Sequence, residues 1–166
     1  MCIRDSHVVD DLARSLRPLL ASLSVPDGPS IVTLRSVAHL GTLLVGHVSG
    51  RPDDPHLLEL LKALHPTPAV GGVPRAGAIQ TIADLEGPRR NYFAGGIGWC
   101  NAAGEGEWVL GIRGAMLRGT HCELTAGAGI VADSTPLGEA EETRSKLASV
   151  LEAIAPGSGA LLAQVR

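Results

Sequence analysis

The chain has 166 residues, enough for one domain with its own core. Apolar residues make up 45% of it and the formal net charge is −3, which excludes the basic, clustered footprint of a nucleic-acid binder. Aromatic residues make up only 2%, too few for a base-stacking platform, and no apolar run reaches the roughly 18 residues of a membrane span.

The spacing of apolar residues from Ser6 to Val25 predicts a helix. The six residues before His7, "MCIRDS", share neither its pattern nor a visible purpose. Pro29 to Gly50, rich in Val, Leu, Ile and Thr, reads as two strands or one long broken strand. Asp53 to His65 reads as a short helix with an Asp cap and a proline in its first turn. A stiff loop follows, "LHPTPAVGGVPR", whose three prolines suit neither a regular helix nor a central strand.

Pro74 to Gly87 predicts the next helix, with Pro at its start and Gly just past its end. Asn91 to Ala128 reads as a three-stranded antiparallel meander joined by the hairpin-like "AAGEG" and "RGTH". Pro136 to Ala155 is the last helix, and residues 156–166 read as a loose tail. The three cysteines form no CxxC pair and their count is odd, which argues against a disulfide framework. Cys100 and Cys122 fall in predicted strands and read as small core residues. No signal-peptide pattern follows Met1, so a reduced, cytosolic location is expected.

Three stretches carry candidate chemistry. "GAGIVA", Gly127 to Ala132, matches the G-x-G-x-x-A spacing of dinucleotide sites, but Pro136 delays the helix that would face a pyrophosphate. Its glycines leave two readings open: backbone N–H groups offered to an anion, or a tight strand exit. Arg113 stands in "WVLGIRGAML", where strand alternation puts it between Gly111 and Ala115 on one face. That leaves room for bidentate carboxylate capture, or for an edge arginine reaching solvent. Glu139, Glu142 and Lys146 align on one face of the last helix. They suit a hard divalent cation beside an anion, or an ordinary surface ion pair near a helix N-terminus.

"HPTPAVGGVPR", "YFAGGIGW", "EWVLGIRGAML", "AGAGIV" and "PLGEAEETRSKL" occur in the order and spacing of the chorismate-utilising enzymes. Over about His7 to Ile154 the chain resembles that family, and "HPTPAVGG" looks most like its isochorismate synthase branch. The resemblance implies an α+β fold, the C-terminal part of an architecture in which antiparallel sheets pack together with helices outside. It implies binding of chorismate, a dianion, with one Mg²⁺, and conversion to isochorismate as water adds to the ring and the neighbouring hydroxyl leaves.

By matching position, the resemblance makes Glu142 a Mg²⁺ ligand and has Glu139 assist through water. Arg113, with Ile112 beside it, and the backbone around Gly127 would hold the enolpyruvyl carboxylate. Lys146 would meet the anionic end of the substrate, and His39, Ala69, Val70 and Phe93 would lie near the ring. Phe93 stands where some members carry Tyr. Asn101 stands where many carry Asp, and is expected to be a turn detail.

The family's general-base Lys, its general-acid Glu and its second metal-binding Glu lie N-terminal to the segment matched here. The chain is therefore expected to be a C-terminal fragment, with residues 7–155 belonging to the catalytic domain and residues 1–6 foreign to it. A coding sequence that truly begins at Met1 would contradict this. The parent is expected to be a cytoplasmic, monomeric isomerase that serves menaquinone or siderophore formation. Salicylate synthase is the neighbouring alternative, against which the small Ala69 argues, because salicylate formers tend to carry Ser or Thr in that part of the loop. A non-catalytic fragment with exposed sheet edges is the other.

Overall fold

A computed structural model describes residues 3–33 and 38–158. They form five α-helices and eight short strands, and the strands pair as four separate two-stranded antiparallel ribbons. Helices with small antiparallel sheets are the expected α+β composition. The described residues divide into two compact units, the first holding positions up to 79 and 98–108, the second 80–97 and those from 109 onward.

In the first unit, α1 spans Ile3–Leu16. Val8, Val9 and Leu12 are half-buried and Ala13 is fully buried, as an amphipathic stripe requires. The helix stops well short of Val25. Pro18 lacks an N–H and its ring opposes the carbonyl four residues back, so Arg17–Leu19 tightens into a 3₁₀ turn. The chain then enters β1, Ser22–Ser24, which pairs with β4, Val45–His47. Between them, β2 (Ser30–Thr33) pairs with β3 (Ala38–Gly41) in the register Ser30 to Gly41. The region predicted as two strands is thus three, and residues 34–37 of it lie outside the described ones.

Helix α2, Leu57–Leu64, is capped by His56 and not by an aspartate. His56 Nδ1 accepts from Leu58 N at 3.2 Å, and Glu59 accepts from His56 N at 2.8 Å. Asp54 instead ties the preceding turn, accepting from the Ser49 hydroxyl at 2.6 Å and from the N–H groups of Ser49, Gly50 and Arg51. Helix α1 packs on α2 and on α3, Pro68–Gly71, a single turn inside the proline loop. Pro68 is tolerated there because it is the first helical residue, whose N–H would be unpaired anyway. The peptide bonds before Pro66 and Pro74 are cis. Gly71 has to be small, since a Cβ would lie 2.9 Å from the Pro66 ring. Arg75 reaches from the far end of the loop to Ala63 O at 3.4 Å and to Asp11 at 3.6 Å.

Helix α4, Arg75–Glu86, ends at Gly87, whose φ of +59° suits glycine. After a 3₁₀ turn, β5 (Gly96–Cys100) and β6 (Gly106–Leu110) form one ribbon, and β7 (Gly114–Arg118) and β8 (His121–Thr125) another. Both predicted hairpin connections are present. Asn101 is a turn residue as expected, its side-chain oxygen accepting from the N–H groups of Ala103 and Glu105 at 3.0 Å.

The predicted long strand around Arg113 does not form. Gly111 exchanges backbone bonds with the 94–95 turn, donating to Gly95 O and accepting from Ala94 N, each at 2.7 Å. A Cβ at Gly111 would meet Tyr92 O at 2.8 Å. That local closure ends β6, and Arg113 turns the chain with φ +54° before β7 starts. The three-stranded meander is therefore two ribbons. Arg113 is not flanked by Gly111 and Ala115 on one face.

Few side chains are enclosed. Among the described residues only Ala13, Ala94 and Val150 are buried apolar ones, while Ile31, Leu117, Ile130 and Leu137 are each more than 70% exposed. Cys100 and Cys122 are exposed and are not core residues, because each lies on a two-stranded ribbon too narrow to enclose a side chain by itself.

Candidate functional site

In the second unit, five of the ten candidate residues, Phe93, Gly127, Glu139, Glu142 and Lys146, lie on or beside α5, Pro136–Ile154. Thr135 caps this helix, its hydroxyl accepting from Gly138 N at 3.2 Å, and Pro136 follows at the first helical position. Glu139, Glu142 and Lys146 then share one face, as their spacing predicts. Helix α5 also packs on β8, whose continuation carries Gly127.

Lys146 joins the helix to that continuation. Its Nζ lies 2.5 Å from a Glu142 oxygen and donates to the Gly127 carbonyl oxygen at 2.9 Å. Lys146 is about three-quarters buried at its side chain, and Glu142 rather more than half. The glycine has a further reason to be there: a Cβ on Gly127 would lie 3.1 Å from the Phe93 ring. Arg90 lies over the same ring, with the guanidinium carbon 5.9 Å from its centroid. Arg90 is held in turn by Glu86 through bonds of 2.5 and 2.7 Å. The hydrogen bond from Arg90 lowers the Glu86 carboxyl below its usual range, and the same bond raises Arg90. Within the Gly-rich stretch, Phe93 lies close against Gly127.

Glu139 is anchored on one side only. One of its oxygens accepts a short hydrogen bond from the Ser134 hydroxyl, and the other is buried without a partner. A buried carboxylate oxygen left unpaired is costly, and such an oxygen fits a hard cation or the water on it. Two carboxylates one turn apart fit a Mg²⁺ ion as part of its shell. Among the described residues no group of three or more His, Cys, Asp or Glu side chains gathers to complete one.

Arg113 and Ile112 lie in the same unit, both exposed, on the turn between β6 and β7. A non-glycine residue at φ +54° is strained, and such strain gathers at binding positions. His39, Ala69 and Val70 belong to the first unit. His39 pairs through its backbone with Val32 in the β2–β3 ribbon; its side chain is outside the described set. Ala69 is exposed and Val70 half-buried, both on α3. Sequence reasoning missed Ser134 and Arg90. A serine two residues before a helix-opening proline, five before a glutamate, is a signal only in hindsight.

A sequence profile of chorismate binding enzymes matches residues 4–155. The vibriobactin-specific isochorismate synthase of Vibrio cholerae serotype O1 is 44% identical over 148 residues, covering 88% of this chain and 36% of that protein. The isochorismate synthase EntC of Escherichia coli K12 is 42% identical over 152 residues, covering 89% of this chain and 38% of EntC. A crystal structure from Bacillus anthracis, assigned as the 2,3-dihydroxybenzoate-specific isochorismate synthase DhbC, superposes with a TM-score of 0.82 at 39% identity. It covers 92% of this chain and 40% of its own. The chain thus spans about two-fifths of the length of the relatives it matches. No described helix is long and apolar enough to cross a membrane.

Proposed function

This chain belongs to the chorismate binding enzyme family, and from that premise we propose that it carries the substrate-carboxylate side and part of the magnesium site of an isochorismate synthase. The observation that carries the reading is the cluster on α5: Lys146 on Gly127 and Glu142, with a buried, unpartnered oxygen of Glu139 one turn away. Chorismate is a dianion. Its recognition needs cations that are already placed, so that little ordering accompanies binding.

Glu142 and Glu139 would hold Mg²⁺, which when bound neutralises a substrate carboxylate. Lys146, already oriented by the Gly127 carbonyl, offers its ammonium to the same anionic end. Arg113, a bidentate donor with Ile112 beside it, takes the enolpyruvyl carboxylate together with the backbone N–H groups around Gly127. Phe93 presents a ring face with no hydroxyl, so it excludes water without donating a bond. The roles near the substrate ring implied for His39, Ala69 and Val70 remain part of the proposal.

The reaction is an isomerisation: water adds to one ring carbon as the neighbouring hydroxyl departs, and atoms balance without an oxidant. The proton-transfer groups, a lysine base and a glutamic acid, are proposed to come from the part of the parent outside this chain. A small-molecule substrate, a monomeric state and a cytoplasmic setting complete the reading. The E. coli and V. cholerae relatives are named isochorismate synthases, which supports that product over salicylate.

The test uses two proteins. One is the 166-residue chain alone; the other is a fusion in which this chain replaces the matched segment of EntC. With chorismate and Mg²⁺, the chain alone is predicted to give no turnover and the fusion to release isochorismate. Turnover by the chain alone would refute the division of labour. Salicylate from the fusion would refute the product.

A further inference from the structure

We propose that Ser134 is the positioning residue for Glu139: its hydroxyl holds one carboxylate oxygen so that the other stays available to a divalent cation or to the water on that cation. This rests on the magnesium reading above.

The geometry is specific. The Ser134 oxygen accepts from Val131 N at 3.0 Å, and its single hydrogen goes to Glu139. The accepted bond occupies a lone pair and leaves the O–H to point elsewhere, which here is the carboxylate. Ser134 is not the helix cap, since Thr135 fills that position with its own bond to Gly138 N. Nor is the hydroxyl needed to close the 131–134 turn, because Ser134 N also donates to Val131 O at 3.0 Å. With one oxygen engaged, rotation of the Glu139 carboxylate is restrained and the orphaned oxygen keeps its direction. Partners that orient a metal-binding group typically change metal affinity about 10- to 100-fold when removed.

The experiment measures Mn²⁺ binding by electron paramagnetic resonance in the EntC fusion without chorismate, together with the Mg²⁺ dependence of turnover. Ser134→Ala is predicted to weaken Mn²⁺ binding about tenfold and to raise the Mg²⁺ requirement in parallel, with kcat at saturating Mg²⁺ largely kept. Ser134→Thr, which retains the hydroxyl, is predicted to restore both. Ser134→Cys, nearly isosteric but a weak donor, is predicted to behave as the alanine variant does and serves if that variant fails to fold. Glu139→Gln separates the two claims. If it weakens Mn²⁺ binding while the alanine and cysteine variants bind like the parent, the role of Ser134 is overturned and the magnesium reading stands. If Glu139→Gln also binds like the parent, the magnesium reading fails at this residue.

Discussion

Lys146 and Gly127 are bonded directly, the ammonium donating to the glycine carbonyl oxygen at 2.9 Å while it lies 2.5 Å from Glu142. One cation thus joins the last helix to the strand exit before it. A partly exposed ion pair of this kind adds less than about 1 kcal/mol to stability. Lys146→Met in the fusion is therefore predicted to move Tm by no more than about 4 °C. The same change should raise the chorismate KM about tenfold or more, since a bond to a charged group is worth about 1.5–3 kcal/mol. Steady-state kinetics beside a melting curve checks both halves.

Gly127→Ala puts a methyl 3.1 Å from the Phe93 ring, so the ring must move by a few tenths of an ångström. Overpacking of this kind typically costs about 1–3 kcal/mol. The predicted result is a lower Tm and a raised KM. Adding Phe93→Leu should recover part of the stability, which a double-mutant cycle reads directly.

Arg113 separates binding from folding. Its φ of +54° suits glycine better than arginine, so Arg113→Gly is predicted to keep or slightly raise Tm. Chorismate affinity should fall by about tenfold or more as the bidentate donor is lost. A fall in Tm with unchanged KM would assign Arg113 a structural role instead.

The Glu86–Arg90 pair has a pH signature. Its hydrogen bond lowers the Glu86 carboxyl below the usual 4.5, so the folded state holds this proton less tightly than the unfolded one. The stabilisation is fully present above 4.5 and is lost as pH falls through the lower folded value. Arg90→Met is predicted to lower Tm at neutral pH, with the difference from the parent narrowing in acid below 4.5. Melting curves across that range provide the check.

What could be read in advance divides by distance along the chain. The face shared by Glu139, Glu142 and Lys146 follows from a period of 3.6, and the stop at Gly87 from one residue's backbone freedom. The end of α1 ahead of Pro18 is equally local, but the apolar spacing continues beyond it and hides the break. Arg113 lies on a turn and not in a strand because β6 ends through Gly111, whose bonds go to residues 94 and 95, well back in the chain. The bond from Ser134 depends on a turn that brings it back over the helix it precedes, and the seat of Phe93 on Gly127 joins residues 34 apart. No spacing rule reaches those contacts.

The most direct test of the central claim is isochorismate formation by the EntC fusion with Glu142 intact and with Glu142→Gln. The account predicts Mg²⁺-dependent isochorismate from the first and a loss of about a hundredfold or more from the second. A folded fusion that makes no isochorismate, or one that Glu142→Gln leaves fully active, would contradict it.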